Sequence, residues 1–304
     1  MNQVQRSYSF FSARSVAVRS VAARSVAAGI IGGLATLALV LGGCSAGTTY
    51  SEDVARQDSQ WLVVDLRTGE QRFLADIPAN AAPGGADSDH LLTLRRVPVH
   101  ASTIGSPTGT LLADSDEMPQ RTVDVSGYFV AITELTQSQW LVLAGDAPWS
   151  AFSEVAPGAS LPATGMSYQR AVTVLADATT RLGMKFAVPT SDEWEDCARA
   201  GSTSASAFEP TDVAARNARA WVIENQTPGS GMHAVAQRDP NTWGLYDVQG
   251  NVWEMTSVRA DESIGQVRGG SFADTAGSAR FGNRSNLPIA MGHPNVGLRL
   301  VIIP

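Results

Sequence analysis

The sequence predicts a loop-rich domain of the α+β class with little regular secondary structure. Its 304 residues include 28 glycines and 15 prolines, which favour turns over a helical bundle. Residues 121–130 alternate apolar and polar side chains, as a half-buried strand does. Residues 167–182 instead repeat apolar side chains at helical spacing from Ala171 to Leu182, and Gly183 follows as a stop signal.

Shorter elements follow from local patterns along the chain. Residues 60–78 predict a hairpin, because WLVVDL and QRFL flank a Thr-Gly turn, and residues 80–88 predict a linker. A hairpin alone is marginal in water, so we expect it to pack on the main domain as an appendage. Residues 90–96 predict a strand. Capping boxes at 136–139 and 190–193 each predict the start of a helix, the second of which carries Trp194 and Cys197.

The first 43 residues differ from the rest of the chain. They hold four arginines and no acidic residue, and an uncharged run with an apolar centre at 27–41 follows the arginines. This order predicts a secretory signal. The segment ends in Leu-Gly-Gly-Cys44, which resembles a bacterial lipobox, so Cys44 is the predicted lipidated first residue of the mature protein. A retained membrane anchor and a plain signal peptide are the alternatives.

Charge limits the partners that this chain can take. Removal of the four arginines would change the formal net charge from −7 to −11. Nucleic-acid binding needs clustered Lys and Arg, so the sequence argues against it. The lipid on Cys44, rather than a basic face, would hold the protein at the membrane of the bacterial cell envelope.

The stretch GLYDVQGNVWE at 244–254 carries the clearest chemical signal. Gly244, Gly250 and Asn251 permit a tight turn, and Asp247 and Glu254 bracket it. Two carboxylates and the carbonyls of such a turn suit a hard cation such as Ca²⁺. In the alternative, Asp247 hydrogen-bonds the local backbone and Glu254 is solvated.

Several motifs in a fixed order resemble the formylglycine-generating-enzyme (sulfatase-modifying factor) domain. Together with GLYDVQGNVWE they span about residues 92–304, and they are ITELTQSQW (132–140), PTSDEWE (189–195), ARAG (198–201), RGGSF (268–272) and GLR (297–299). The resemblance implies a compact variant of the C-type-lectin-like fold, often with bound calcium. It divides the chain into a lipoprotein signal (1–43), a tether, hairpin and linker (44–89) and the sulfatase-modifying-factor-like domain (90–304).

The family's ligand pattern implies a structural calcium site in the 244–254 stretch. Its members here are the side chains of Asp247 and Glu254 and the carbonyls of Gly250 and Val252. Part of a second family calcium site corresponds to Asn217 and the Ala218 carbonyl.

The resemblance also implies that copper chemistry is absent. The family's oxidases bind Cu(I) through two cysteines downstream of the Gly-Gly-Ser motif, and those positions hold Asp274 and Ala279. Soft thiolates are what Cu(I) requires. Ser271 and Trp253 match residues beside the oxidase site, so Trp253, Ser271 and Asp274 are the candidate residues of a former cleft.

Two classes of function remain open. The first is a non-catalytic cell-envelope lipoprotein that binds a peptide, protein or glycan. Its subtype is a lectin-like surface protein diversified by a retroelement, with a ligand face at 270–298, although that region is not rich in asparagine. The second class is a formylglycine-generating oxidase that matures sulfatases, or a related metal-dependent enzyme.

Cysteine and histidine usage adds no second catalytic site. If Cys44 is lipidated, Cys197 is the remaining cysteine, and we interpret it as a buried packing residue. The four histidines show no spacing typical of zinc or iron sites.

The lipidation of Cys44 is directly testable. Cys44→Ala should abolish incorporation of radiolabelled palmitate and release the protein from the membrane fraction, since the acceptor thiol is lost. Unchanged labelling in this variant would show that the lipobox interpretation is wrong.

Overall fold

The computed structural model describes residues 59–227 and 230–304, so Cys44 and the predicted signal segment lie outside the described residues. Twelve strands are described. In chain order they are β1 (Trp61–Asp65), β2 (Gln71–Leu74), β3 (Leu91–Val97), β4 (His100–Ile104), β5 (Arg121–Val125), β6 (Tyr128–Ala131), β7 (Lys185–Ala187), β8 (Trp253–Met255), β9 (Ile264–Arg268), β10 (Arg284–Pro288), β11 (Val296–Gly297) and β12 (Val301–Ile303).

Four α-helices lie within the same described residues. They are α1 (Gln137–Ala144), α2 (Tyr168–Leu182), α3 (Ser191–Arg199) and α4 (Val213–Arg219), with short 3₁₀ turns at Ser115–Glu117, Pro148–Ala151 and Ile223–Asn225. The α+β class is confirmed, and long loops connect most of the elements.

The helix boundaries follow the local signals in the sequence. Thr136 and Thr190 cap α1 and α3, and each accepts a hydrogen bond from the backbone N–H three residues on. Ser167 caps α2 in the same way, and Gly183 ends it in a left-handed conformation. The three helix starts predicted from the sequence are therefore present.

A six-stranded sheet, in the order β2-β1-β3-β6-β12-β7, forms the centre of the domain. Successive side chains of a strand point to opposite faces, so β6 contributes to two clusters. Phe129 and Ala131 belong to the main core with α1 and α2, whereas Tyr128 and Val130 pack with Trp194 of α3 on the other side. A four-stranded sheet in the order β10-β9-β8-β11 and the pair β4-β5 complete the strand arrangement of the described chain.

Two expectations about strands need correction. The segment 121–130 forms two strands, β5 and β6, which belong to different sheets and are separated at Ser126 and Gly127. The hairpin of residues 60–78 is present as β1 and β2, but it is not an appendage. Strand β1 pairs with β3 over its whole length, so the hairpin supplies two strands of the central sheet.

Buried ion pairs connect segments that have few ladder hydrogen bonds. Glu195 on α3 accepts hydrogen bonds from Arg199, at 2.7 Å, and from Arg268 at the end of β9, and all three side chains are 1% exposed. Burial opposes the charge on Glu195, but Arg268 and Arg199 hold its pKa below the usual value. Removing one member of such a cluster leaves uncompensated buried charge.

We predict that Glu195→Ala lowers the free energy of unfolding by roughly 3–5 kcal/mol, since two buried guanidinium groups lose their counter-charge. Asp192→Ala, on the same helix, is the matched control. The Asp192–Arg121 pair is exposed, and such pairs contribute about 0–1 kcal/mol. Urea unfolding of both variants measures the difference, and equal losses would contradict a structural role for the buried cluster.

Candidate functional site

The 244–254 loop has the tight geometry that its glycines and asparagine predict. Gly244, Asp247, Gly250 and Asn251 all have positive φ. A Cβ at Gly250 would lie 2.2 Å from the carbonyl oxygen of Trp221, so no other residue fits there without movement. The loop is therefore held against the 221 segment by a backbone approach that requires glycine.

Asp247, one of the predicted calcium ligands, has a carboxylate whose hydrogen bonding is incomplete. Its carboxylate is buried, and Oδ2 accepts a hydrogen bond from the Ala236 N–H at 2.7 Å. The other oxygen, Oδ1, is buried with no hydrogen-bond partner in the structure. Burial raises the pKa of Asp247 to about 6. A buried, unpartnered carboxylate oxygen costs free energy, and a cation or a proton would relieve that cost.

Glu134, which the sequence analysis did not single out, lies beside this loop. Its two oxygens accept hydrogen bonds from the Val252 N–H, at 3.2 Å, and from the Asn251 side chain, at 3.0 Å. Burial and the charges of Asp247 and Glu254 raise the pKa of Glu134 well above its usual range. The signal in the sequence was a carboxylate three residues after the apolar strand β6, within the ITELTQSQW motif.

Glu254 lies in a different environment from the one predicted. Arg299 donates to both of its oxygens, at 2.7 and 3.0 Å, and the indole N–H of Trp194 donates to one of them at 2.6 Å. Carboxylate oxygens carry two lone pairs each, so a shared contact to a cation is still chemically allowed. Glu254 is nevertheless first an ion-pair partner of Arg299, which the sequence analysis did not foresee.

Both members of the partial second calcium site accept hydrogen bonds from other residues of the protein. Asn217 accepts a hydrogen bond from Asn225 at 3.2 Å, and the Ala218 carbonyl accepts one from the Asp239 N–H at 2.7 Å. Across residues 59–227 and 230–304, no three His, Cys, Asp or Glu side chains are grouped closely enough to hold a metal ion by themselves. A calcium site in the 244–254 loop would therefore rely on backbone carbonyls beside Asp247.

The three predicted cleft residues do come together. The Asp274 oxygen Oδ2 accepts hydrogen bonds from the Trp253 indole N–H at 2.8 Å, from the Ser271 N–H at 3.0 Å and from the Ser271 hydroxyl. Ser271 is fully buried, and Asn295 donates to its hydroxyl oxygen at 3.1 Å. Asp274 is therefore an internal acceptor that ties β8 to the loop after β9.

The second copper-position residue, Ala279, is buried in a small apolar cluster. Its exposure is 0%, and it packs with Phe208, Val222 and Ala276. The Ala279 carbonyl accepts a hydrogen bond from the Gln249 side chain. Neither oxidase position presents a soft ligand, because one holds a hydrogen-bonded carboxylate and the other a methyl group.

His293 and Asn295 lie close to Asp274 and were not predicted. The Asn295 N–H donates to His293 Nδ1 at 3.4 Å, and the Asn295 side-chain oxygen is buried without a hydrogen-bond partner. Burial lowers the pKa of His293 below its usual value, so the neutral imidazole is favoured. No sequence spacing links these residues to Ser271, because the fold alone brings the two loops together.

Two solved structures share the fold of this domain. The variable protein 1 of Treponema denticola matches with a TM-score of 0.59 and 20% identity, covering 73% of this chain and 98% of that one. PvdO from Pseudomonas aeruginosa matches with a TM-score of 0.63 and 20% identity, covering 71% and 95%. At this identity the likeness concerns the fold.

The family is shown by the sequence itself. The model of the sulfatase-modifying factor enzyme 1-like domain matches residues 94–303, and the chain belongs to that family. A bovine relative, inactive C-alpha-formylglycine-generating enzyme 2, is 32% identical over 119 residues. That match spans 35% of this chain and 38% of the relative, well under half the length of either protein.

The calcium prediction can be tested through stability. A cation that binds the native state alone should stabilise it by ~2.7 kcal/mol at a hundredfold excess over Kd, and the gain should disappear in Asp247→Asn. Asp239→Asn, an exposed neighbour, is the control that should keep the gain. Thermal melts with calcium and with chelator measure it. A wild-type melting temperature indifferent to both would refute the site.

Proposed function

We propose that this chain is a lipid-anchored cell-envelope protein whose domain binds a peptide, protein or glycan ligand without catalysing a reaction. The observation that carries the proposal is the environment of Asp274. At the position of an oxidase thiolate, a carboxylate accepts three hydrogen bonds from Trp253 and Ser271. Those donors are occupied in holding the loop together.

The chemistry of the substitution supports a loss of oxidase activity. Cu(I) needs thiolate ligands, and a carboxylate is a hard ligand that suits other ions. A thiolate at position 274 would replace the carboxylate, so the donors on Trp253 and Ser271 would lose their acceptor. Buried donors without an acceptor are costly. In this proposal, Asp274 and its neighbours stabilise the loop and do not form a redox centre.

Cys197 offers no replacement for the missing thiols. It lies on α3, where it is 1% exposed and donates to the Trp194 carbonyl at 3.2 Å. Burial raises the pKa of this thiol well above its usual value, and a thiol that stays protonated is a poor nucleophile and metal ligand. Its surroundings are those of a packing residue.

The anchoring part of the proposal rests on the sequence around Cys44. Within the described residues, no helix has the length and apolarity that a membrane crossing requires. A lipid on Cys44 would supply membrane attachment without a spanning helix. The following residues 45–59 are small and polar, which suits a tether between the lipid and the domain.

A turnover assay tests the non-catalytic part. The purified chain is incubated with Cu(I), oxygen and a peptide containing Cys-x-Pro-x-Arg, the substrate pattern of the family's oxidases. We expect no aldehyde above the rate without protein, because neither Asp274 nor Ala279 can hold Cu(I). Mass spectrometry of the peptide detects the product.

Two variants make this result interpretable. Asp274→Cys combined with Ala279→Cys restores two thiols, and Cu(I) binding by that variant under competition with a chelator would show that the assay can detect a thiolate site. Aldehyde formation by the wild type that disappears in Asp274→Ala would contradict the proposal and favour the oxidase alternative.

A further inference from the structure

The loop before β5 presents two adjacent leucines to solvent. Leu111 is 86% exposed and Leu112 is 75% exposed, and we call this pair the leucine tip. Leu112 also adopts a φ of 63°, a left-handed conformation that is unfavourable for residues with a Cβ. Exposed apolar surface and backbone strain at the same residue are both features that accumulate at binding surfaces.

Buried Arg280 fixes the leucine tip to the domain. It donates to the Leu112 carbonyl at 2.6 Å and to the Gly277 carbonyl, and it pairs with the buried carboxylate of Glu117. The Leu112 side chain lies over Gly277, where an added Cβ would come within 2.8 Å of its Cδ1. The tip is therefore built onto the segment that follows Asp274.

A third exposed apolar side chain flanks the same segment. The Ile223 N–H donates to the Asp274 carbonyl at 2.9 Å, and the Glu224 carboxylate accepts from the Ala276 N–H at 3.0 Å. Ile223 is 53% exposed. Segment 274–277 thus contacts Ile223 at one end and the leucine tip at the other.

Acidic residues border the leucine tip. Asp114 and Asp116 lie two and four residues after Leu112, and both are exposed. Asp116 approaches Arg284 at 3.7 Å. We propose that the leucine tip and Ile223 form a docking surface for a polypeptide segment. That segment carries apolar side chains beside Lys or Arg, which pair with Asp114 and Asp116.

The charges favour this occupant over two others. An anionic membrane surface would repel the two aspartates and a chain of formal net charge −7. A second copy in a two-fold contact would bring the same aspartates together, which is unfavourable for like charges. A segment with both apolar and basic side chains can pack on the leucines and pair with the two carboxylates.

This inference rests on the proposed binding function but names its surface and partner chemistry. The two fail separately: aldehyde formation contradicts the non-catalytic proposal and leaves the docking surface intact, whereas the binding results below concern the surface alone.

The test uses the full chain in nanodiscs of neutral lipid, with empty discs subtracted. The probe is a labelled amphipathic peptide of Leu and Lys, compared with a Leu and Glu peptide and a Ser and Lys peptide by fluorescence anisotropy. We expect the Leu and Lys peptide to bind at least about tenfold more tightly than either comparison peptide, since both apolar burial and charge pairing contribute.

Variants locate the binding. Leu111→Ser with Leu112→Ser should weaken binding of the Leu and Lys peptide by at least about tenfold. Asp114→Asn with Asp116→Asn should weaken it and reduce its dependence on salt. Val99→Ser removes an apolar side chain that is 79% exposed elsewhere on the domain, and it should leave binding unchanged.

Hydrogen exchange at residues 110–114 separates the possible occupants. Slower exchange that appears only with the Leu and Lys peptide supports the proposal. Slower exchange that depends on the disc lipid, or on protein concentration, without peptide would assign the surface to a membrane or to a second copy and overturn it. Equal binding of all three peptides, or equal loss in Val99→Ser, would also overturn it.

Discussion

The ion pair between Glu254 and Arg299 is the interaction on which the rest of the domain depends. Arg299 donates to both oxygens of Glu254 and also to the carbonyls of Ala131 and Tyr246. One guanidinium therefore joins the end of β6, the start of the 244–254 loop and β8, while Trp194 of α3 completes the acceptor set of Glu254. A fold with short strands needs such cross-links, because its backbone ladders leave the loops without support.

The surroundings of Asp274 and of Asp247 differ in how they satisfy a carboxylate. Around Asp274 the carboxylate has donors on Trp253 and Ser271, so its position is determined by hydrogen bonds. Burial raises the pKa values of both Asp247 and Glu134, and the nearby charge of Glu254 adds to each shift. One Asp247 oxygen has no hydrogen-bond partner. The Asp274 carboxylate is therefore satisfied by donors within the protein, whereas the Asp247 carboxylate is satisfied at one oxygen only.

Helix caps could be predicted from neighbouring residues in the sequence, whereas ion pairs between distant residues could not. The caps of α1, α2 and α3 depend on residues three positions apart, so one sequence contains all the information that they need. The Glu254–Arg299 pair joins residues 45 positions apart, and nothing in the spacing singles out one arginine among many. Trp253, Ser271 and Asp274 were grouped through family resemblance, and the structure brings them together. Glu134 was missed because its burial beside Asn251 is a tertiary property.

The β1–β2 hairpin changes what counts as the folding unit. The family match begins at residue 94, inside β3, yet β1 covers the edge of β3 through five residue pairs. The turn of the hairpin also touches the end of α2, where Arg181 donates to the Leu66 carbonyl at 3.2 Å. A fragment trimmed to the family boundary would expose an apolar strand edge to other chains, which invites aggregation. The autonomous unit therefore starts before Trp61, because β1 and β2 belong to the central sheet.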